Sequence, residues 1–129
     1  MGRTISEEAE SLLESEPLVG HLATSHDGKP HVAPLWFDYR NGAIEIVTTG
    51  RKLANIEQNP RVALSVQKDD EGTPVWGMTI RGTATVIEDD ETGRTVLHRI
   101  NRRYGAEEDA YSENTPVRID IGSVEHWQY

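Results

Sequence analysis

Two dipeptides constrain this chain more than any other feature. Asp27-Gly28 and Asn41-Gly42 each sit between runs with strand character. Such pairs accept the positive φ angles that a two-residue hairpin turn demands, so the chain on either side must double back as antiparallel strands. Val19–Thr24 and His31–Tyr39 flank the first turn, and Ala43–Thr48 follows the second. Pro34 interrupts the run HVAPLWFDY. A proline cannot donate to a sheet ladder, so this strand is expected at an edge or at a bulge. Arg61–Gln67 alternates, with Val62, Leu64 and Val66 on one face. Lys68–Thr73 reads as a polar loop, Val75–Glu88 as a long strand with Gly77 and Gly82 as bulge or close-approach points, and Pro116–Trp127 as the last strand.

Helices fill the gaps. Thr4-Ile5-Ser6-Glu7 has the form of a capping box, and Ile5, Ala9, Leu12 and Leu13 follow it at helical spacing up to Pro17. Arg51–Gln58 carries Leu53 and Ile56 three apart and closes at Asn59-Pro60. Asp89-Asp90 opens a helix bearing Val96, Leu97, Ile100 and Tyr104, stopped by Gly105. Ala106–Thr115 reads as a loop. The expected fold is mainly β with peripheral helices, a six-stranded antiparallel barrel in a single domain over residues 1–129.

Composition narrows the function classes. The 129 residues carry a net charge of −9, an anionic field that repels phosphate backbones and acidic lipid, so neither nucleic acid nor membrane is expected as a partner. With 0 Cys there is no disulfide framework and no thiolate metal site. The N-terminal residues MGRTISEEAESLLESE do not read as a signal peptide, so the expected location is cytoplasmic. Five histidines, at 21, 26, 31, 98 and 126, show no H-x-x-x-H or H-x-H pair, and although His21 and His31 lie on neighbouring strands, hydrogen-bonded or exposed histidines are expected rather than a metal site. Asp89-Asp90-Glu91 suits a helix dipole better than acid–base work. No nucleophile elbow, Walker loop or dinucleotide glycine fingerprint occurs.

One segment does point to chemistry. Thr48-Thr49-Gly50-Arg51-Lys52 leaves a strand and enters a helix, bringing two hydroxyls, two cations and free helix amides together. That is a phosphate-binding set, or else a solvated helix start.

The run LATSHDGKPHVAPLWFDYRNGAIEIVTTGRKLANIEQNP, from Leu22 to Pro60, resembles the pyridoxamine 5′-phosphate oxidase-like family of flavin-binding split barrels. The matching features are LAT, DG-x-P, P-x-W-F, NG, T-T-x-R-K and N-I-x-x-N-P-R-V. The resemblance implies FMN as cofactor, with the deazaflavin coenzyme or haem as alternatives. It implies an isoalloxazine ring lying along Val32, Ala33, Pro34, Leu35 and Trp36. It places the phosphate at Thr48, Thr49, Arg51 and Lys52, with Val47 and Asn55 beside them. It further implies a homodimer in which the second subunit contributes from Trp76, Gly77 or Trp127. The implied activity is hydride transfer to a small-molecule substrate, and the rival is a non-enzymatic module that sequesters flavin or haem. The chain ends VEHWQY without the R-L-x-P-type segment of true pyridoxamine phosphate oxidases, so efficient turnover of pyridoxine phosphate is not expected. No side chain is assigned as catalytic.

Overall fold

A computed structural model describes residues 5–129. Ten elements follow one another: α1 (Glu7–Glu14), β1 (Gly20–His26), β2 (Lys29–Leu35), β3 (Asp38–Arg40), β4 (Ala43–Thr48), α2 (Gly50–Gln58), β5 (Arg61–Asp70), β6 (Thr73–Val86), α3 (Asp90–Arg103) and β7 (Thr115–Gln128). The strands form one sheet in the order β2-β1-β5-β6-β7-β4-β3, every pair antiparallel. None of the described helices is long and apolar enough to cross a membrane.

The strand order forces the sheet to roll up. β2 and β3 lie at opposite ends of the sheet, yet only Trp36 and Phe37 separate them in the chain. Three Cα steps span at most about 11 Å. The two edges must therefore come within that distance, and the sheet curls into a barrel with an unpaired seam at Trp36–Phe37. This corrects the expectation of six strands. The run HVAPLWFDY is not one strand but two, and the seam lies at the aromatic pair rather than at Pro34. The proline does sit in an edge strand, since β2 pairs only with β1.

Hydrophobic alternation fills the barrel. Val62, Leu64 and Val66 of β5, Met78 and Ile80 of β6, and Val117, Ile119 and Ile121 of β7 are all buried in one cluster with Leu22, Ile44 and Ile46. α1 adds Ile5, Ala9 and Leu13 to it. Thr4 lies outside the described residues; the observed N-cap of α1 is Ser6, whose hydroxyl accepts from the Ala9 amide at 3.1 Å.

Both expected hairpin turns form, with φ of 52° and 74° at Asp27-Gly28 and 50° and 79° at Asn41-Gly42. A third turn replaces the expected polar loop. β5 runs on to Asp70, and Glu71-Gly72 makes the reversal at φ of 49° and 90°. Glutamate is not a habitual turn former, so the spacing gave no warning. The ladder between β5 and β6 shifts register at Lys68/Asp69 to accommodate it.

The long strands also meet at Gly82, where the β6–β7 register shifts. A side chain there would put its Cβ 2.4 Å from the Asp120 carbonyl oxygen, so the close approach admits only glycine.

Candidate functional site

Three described helices begin in three electrostatic settings. α1 has Ser6 as a side-chain cap and Glu7, Glu8 and Glu10 in its first turn. α3 has Asp89 as its cap, accepting from the Thr92 amide at 2.8 Å, and Asp90 and Glu91 behind it. Both complement the positive helix end. α2 does the reverse. Thr49 occupies the cap position in an extended conformation but makes no side-chain cap bond, and the first turn contains no acidic residue. It contains Arg51 and Lys52 instead. Among the described residues neither cation has a hydrogen-bond or ion-pair partner.

The backbone prepares this corner. Gly50, at φ +64°, lets the chain pass from β4 into α2 with Thr49 alone between them. Just before it, Thr48 is 1% exposed and its Oγ1 is buried with no hydrogen-bond partner. An orphaned buried hydroxyl costs free energy unless a ligand or water completes it. Thr48, Thr49, Arg51 and Lys52 are thus gathered at one strand-to-helix corner, beside the amides at the start of α2 that no side chain caps. Val47, one residue earlier, pairs with Pro116 of β7.

Two asparagines fix α2 against the sheet. Asn55 Nδ2 donates to Thr24 Oγ1 at 3.0 Å, with both residues buried, and Asn59 Nδ2 donates to Ser25 Oγ at 3.1 Å. Thr24 and Ser25 pair in turn with His31 and Pro30 of β2. Asn55, expected beside the phosphate, gives its amide nitrogen to β1, and that bond braces α2 against the sheet.

Along β2 the side chains alternate. Val32 and Pro34 are exposed, Val32 by 65%, while Ala33 and Leu35 turn half inward. Trp36 lies flat on Tyr104, with ring centroids 4.8 Å apart and planes 5° from parallel. Phe37 turns into the core, as opposite-facing neighbours must. The Tyr104 hydroxyl donates to the Leu18 carbonyl at 2.7 Å and accepts from the Phe37 amide at 3.2 Å, so one phenol pins the seam from inside. Burial raises its pKa, with Phe37 and Arg103 pulling the other way. Asp38, just past the seam, also has a raised pKa through burial, opposed by Arg103 and then Arg99.

The remaining expected residues do not join this site within one chain. Trp76 is 4% exposed and belongs to the core, which corrects its expected place on a shared surface. Gly77 faces outward under Trp127: a Cβ there would meet the Trp127 ring at 2.6 Å. Trp127 Nε1 donates to the Tyr129 hydroxyl at 2.9 Å. β6 and β7 stand three and four places from β2 in the sheet order, so Gly77 and Trp127 are not on strands that pair with β2. His21 and His31 do not meet either. His21 pairs with Pro34 and His31 with Thr24, and no group of three or more metal-ligating side chains exists among the described residues.

The sequence reading passed over Thr24, the anchor of Asn55, and Tyr104, which it placed only on a helix. Nothing in the spacing signals either, because both act across long sequence separations.

Comparison with known proteins adds three findings. The family profile described as pyridoxamine 5′-phosphate oxidase matches residues 5–128. Among solved structures, an F420 reductase is 34% identical, with 94% of this chain and 98% of that one covered and a TM-score of 0.76. A conserved hypothetical protein from Mycobacterium tuberculosis is 26% identical over 96% of this chain and 85% of its own, at a TM-score of 0.80. A haem storage protein from Vibrio cholerae shares the fold at 19% identity and a TM-score of 0.78, covering 98% of this chain and 95% of its own. No curated protein sequence matches the chain.

Proposed function

Since the chain belongs to the pyridoxamine 5′-phosphate oxidase family, we propose that it is an oxidoreductase built around a phosphate-bearing flavin-type cofactor. The observation that carries this reading is the N-terminus of α2, the described helix whose first turn is cationic and uncapped. A cation pair against a helix dipole is unfavourable by itself and becomes favourable when an anion sits between them. The orphaned Thr48 hydroxyl fits the same anion.

In this reading Thr48, Thr49, Arg51, Lys52 and the α2 amides hold the phosphate. Asn55 keeps that corner seated on β1 through Thr24. The ring lies along Val32–Leu35, where the exposed edge of β2 offers backbone donors and acceptors, and Trp36 bounds its end. When bound, the group supplies hydride transfer to or from a small-molecule substrate. The protein's own part is binding, orientation and exclusion of water.

The F420 reductase at 34% identity favours the deazaflavin coenzyme over FMN. Pyridoxine phosphate does not suit the chain as a substrate, since Arg118, the one Lys or Arg after Arg103, is bonded to Asp120 at 3.1 Å. A second copy would close the site. Val75, Trp127 and Tyr129 leave apolar surface exposed near one end of the sheet, and exposed aromatics of this kind are enriched in interface cores.

Mass spectrometry of the small molecule released on denaturing the purified protein tests the reading. Deazaflavin or FMN supports it. Protein that takes up neither in titration but binds haem overturns it. Sedimentation equilibrium tests the dimer; a monomer that holds the cofactor tightly would refute the shared site.

A further inference from the structure

Two side chains of α3 tie down the segment 106–114 that leads to β7. Asn101, 0% exposed, donates from Nδ2 to the Glu108 and Ala110 carbonyls, each at 2.8 Å. His98 lies between two carboxylates, with Nδ1 2.9 Å from Glu108 and Nε2 2.9 Å from Asp109. An imidazole has an N–H on both nitrogens only as the cation; the neutral ring keeps one and turns a lone pair outward at the other. The cation therefore bonds both carboxylates at once, whereas the neutral ring holds one and repels the other. Beyond these ties Tyr111 sits at φ 58°, an outlier for a bulky residue, and is 51% exposed, so core packing does not explain it. Its ring meets Trp36 at 89° with centroids 5.7 Å apart, forming an aromatic corner whose back is Tyr104. Strain of this kind persists where the surroundings overdetermine it, and His98 and Asn101 supply that hold.

A second seat exists for a released carboxylate. Asp109 and Asn114 line a cavity of about 260 Å³ together with Asp90, Arg94 and Leu97 of α3. Arg94, one helical turn before His98, has no hydrogen-bond or ion-pair partner among the described residues. Asp90 competes for it from the same wall, and Asp89 is spent on Thr92. Arg102, one turn after His98, is the other cation near it on the helix. From the strands packed on α3, Asp38 and Glu45 are engaged by Arg99 and Arg103, Arg118 is bonded to Asp120, and Arg40 lines a different cleft. Among the described residues, Glu108 and Asp109 alone are within ion-pair distance of His98.

From this geometry we infer that residues 106–114 form a strap with a proton-operated clasp at His98. While His98 carries both protons, Glu108 and Asp109 are fastened to α3 and Tyr111 is held edge-on against Trp36. Loss of one proton frees Asp109, the more exposed of the two carboxylates and the one that shares a cavity with Arg94. Asp109 turns to Arg94, the strap settles toward the cavity, and Tyr111 relaxes out of the left-handed region and leaves Trp36. Asn101 does not titrate and keeps the strap attached in both states, so the change is a switch between two seats and not an unfolding. The clasp is closed in a window bounded above by the titration of His98 and below by that of the two carboxylates. The device involves no cofactor residue of α2 or β2 and works in the free protein.

A pH series of NMR spectra on the full chain tests this. The His98 ring proton gives the titration midpoint, and the nuclear Overhauser effect between the Tyr111 and Trp36 rings reports the corner. The Asn114 amide, bonded to the Tyr111 carbonyl at 3.0 Å, reports the strap through its exchange rate. As pH rises, the ring contact should vanish with the midpoint of His98, and the Asn114 amide, corrected for intrinsic exchange, should exchange at least about threefold faster. In His98→Gln the contact should no longer change over that range. Asp109→Asn, at a side chain 84% exposed and so harmless to folding, should lower the His98 midpoint and uncouple Tyr111 from it. Arg94→Gln removes the second seat, so the ring contact should persist above the midpoint. Titration of His98 with an unmoved Tyr111–Trp36 contact overturns the proposal. So does the wild-type transition surviving in His98→Gln or Asp109→Asn, which would assign it to another group.

Discussion

Replacing Arg51 and Lys52 together with glutamine should separate binding from stability in opposite directions. The pair lies in the first turn of α2, without a partner among the described residues and without an acidic neighbour in that turn. Each charge-assisted contact to a phosphate is worth roughly 1.5–3 kcal/mol, so losing both costs about 3–6 kcal/mol of binding. At about 1.4 kcal/mol per decade that is a loss of roughly 10²–10⁴ in affinity. The free protein should respond the other way. Each cation opposes the helix dipole by about 0.3–1 kcal/mol, so its removal should leave the protein without cofactor slightly more stable, by about 1 kcal/mol in all. The assay compares FMN with riboflavin, which keeps the ring and lacks the phosphate, by fluorescence quenching at fixed salt. For the deazaflavin the matching pair is the coenzyme and its phosphate-free chromophore. The double variant should lose the phosphate-bearing ligand and bind its phosphate-free partner as wild type does. Urea melts of the cofactor-free forms give the stability difference. Equal loss of both ligands would mean that the substitutions damaged the ring site. A clear drop in stability would mean that the two cations serve the fold, and the anion argument would fail.

Other perturbations test the frame around the site. Tyr104→Phe removes the hydroxyl that bonds Leu18 and Phe37 and should cost about 1–3 kcal/mol in urea melts, because the seam's backbone groups lose their partner; an unchanged midpoint would remove Tyr104 as the pin. Gly82→Ala places a methyl 2.4 Å from a backbone oxygen that cannot swing aside, and should cost more than about 2 kcal/mol. An Ala variant with wild-type Tm would show that the β6–β7 crossing is looser than the geometry says. The Asp89 carboxylate accepts from Thr92 through side chain and backbone, which lowers its pKa below the ordinary 3.8. Its contribution is therefore present above that value and lost as pH falls through the lowered one, so the Tm gap between wild type and Asp89→Asn should close in strong acid. A gap that persists at the lowest pH would refute the ionic origin of the cap.

The fold was legible wherever a local rule decided it. Asp-Gly and Asn-Gly fixed two hairpins, alternation fixed the core faces of β5 and β7, and Asp89 announced α3. The seam was not legible, because His31–Tyr39 has continuous strand character and nothing local distinguishes a straight strand from one that changes sheet edge at Trp36–Phe37. Only the pairing of β3 with β4 and of β2 with β1 reveals it. Trp76 was misplaced for a related reason. Position 76 alternates inward only once the register of β6 against β5 and β7 is known, and an isolated aromatic reads equally well as core or surface.

The site divides along the same line. The phosphate cradle is contiguous in sequence, because a strand end, a left-handed glycine and a helix start must follow one another to aim several amides at one point. Local order and local chemistry coincide there, so five consecutive residues suffice to propose it. The ring corner is not contiguous. Trp36 comes from the seam, Tyr104 from the end of α3 and Tyr111 from the loop beyond, and their meeting depends on how that loop is tied back by Asn101 and His98. A loop of mixed polar residues gives no pattern from which such ties can be read. The cradle and the corner also bear different constraints. A cradle for a shared cofactor needs its amides and cations in one arrangement, whereas a corner completed by one loop can change with that loop without disturbing the barrel. The strained Tyr111 lies in that loop, so a change between Tyr104 and Thr115 would alter the edge-on contact with Trp36 while leaving the barrel's strand pairing intact.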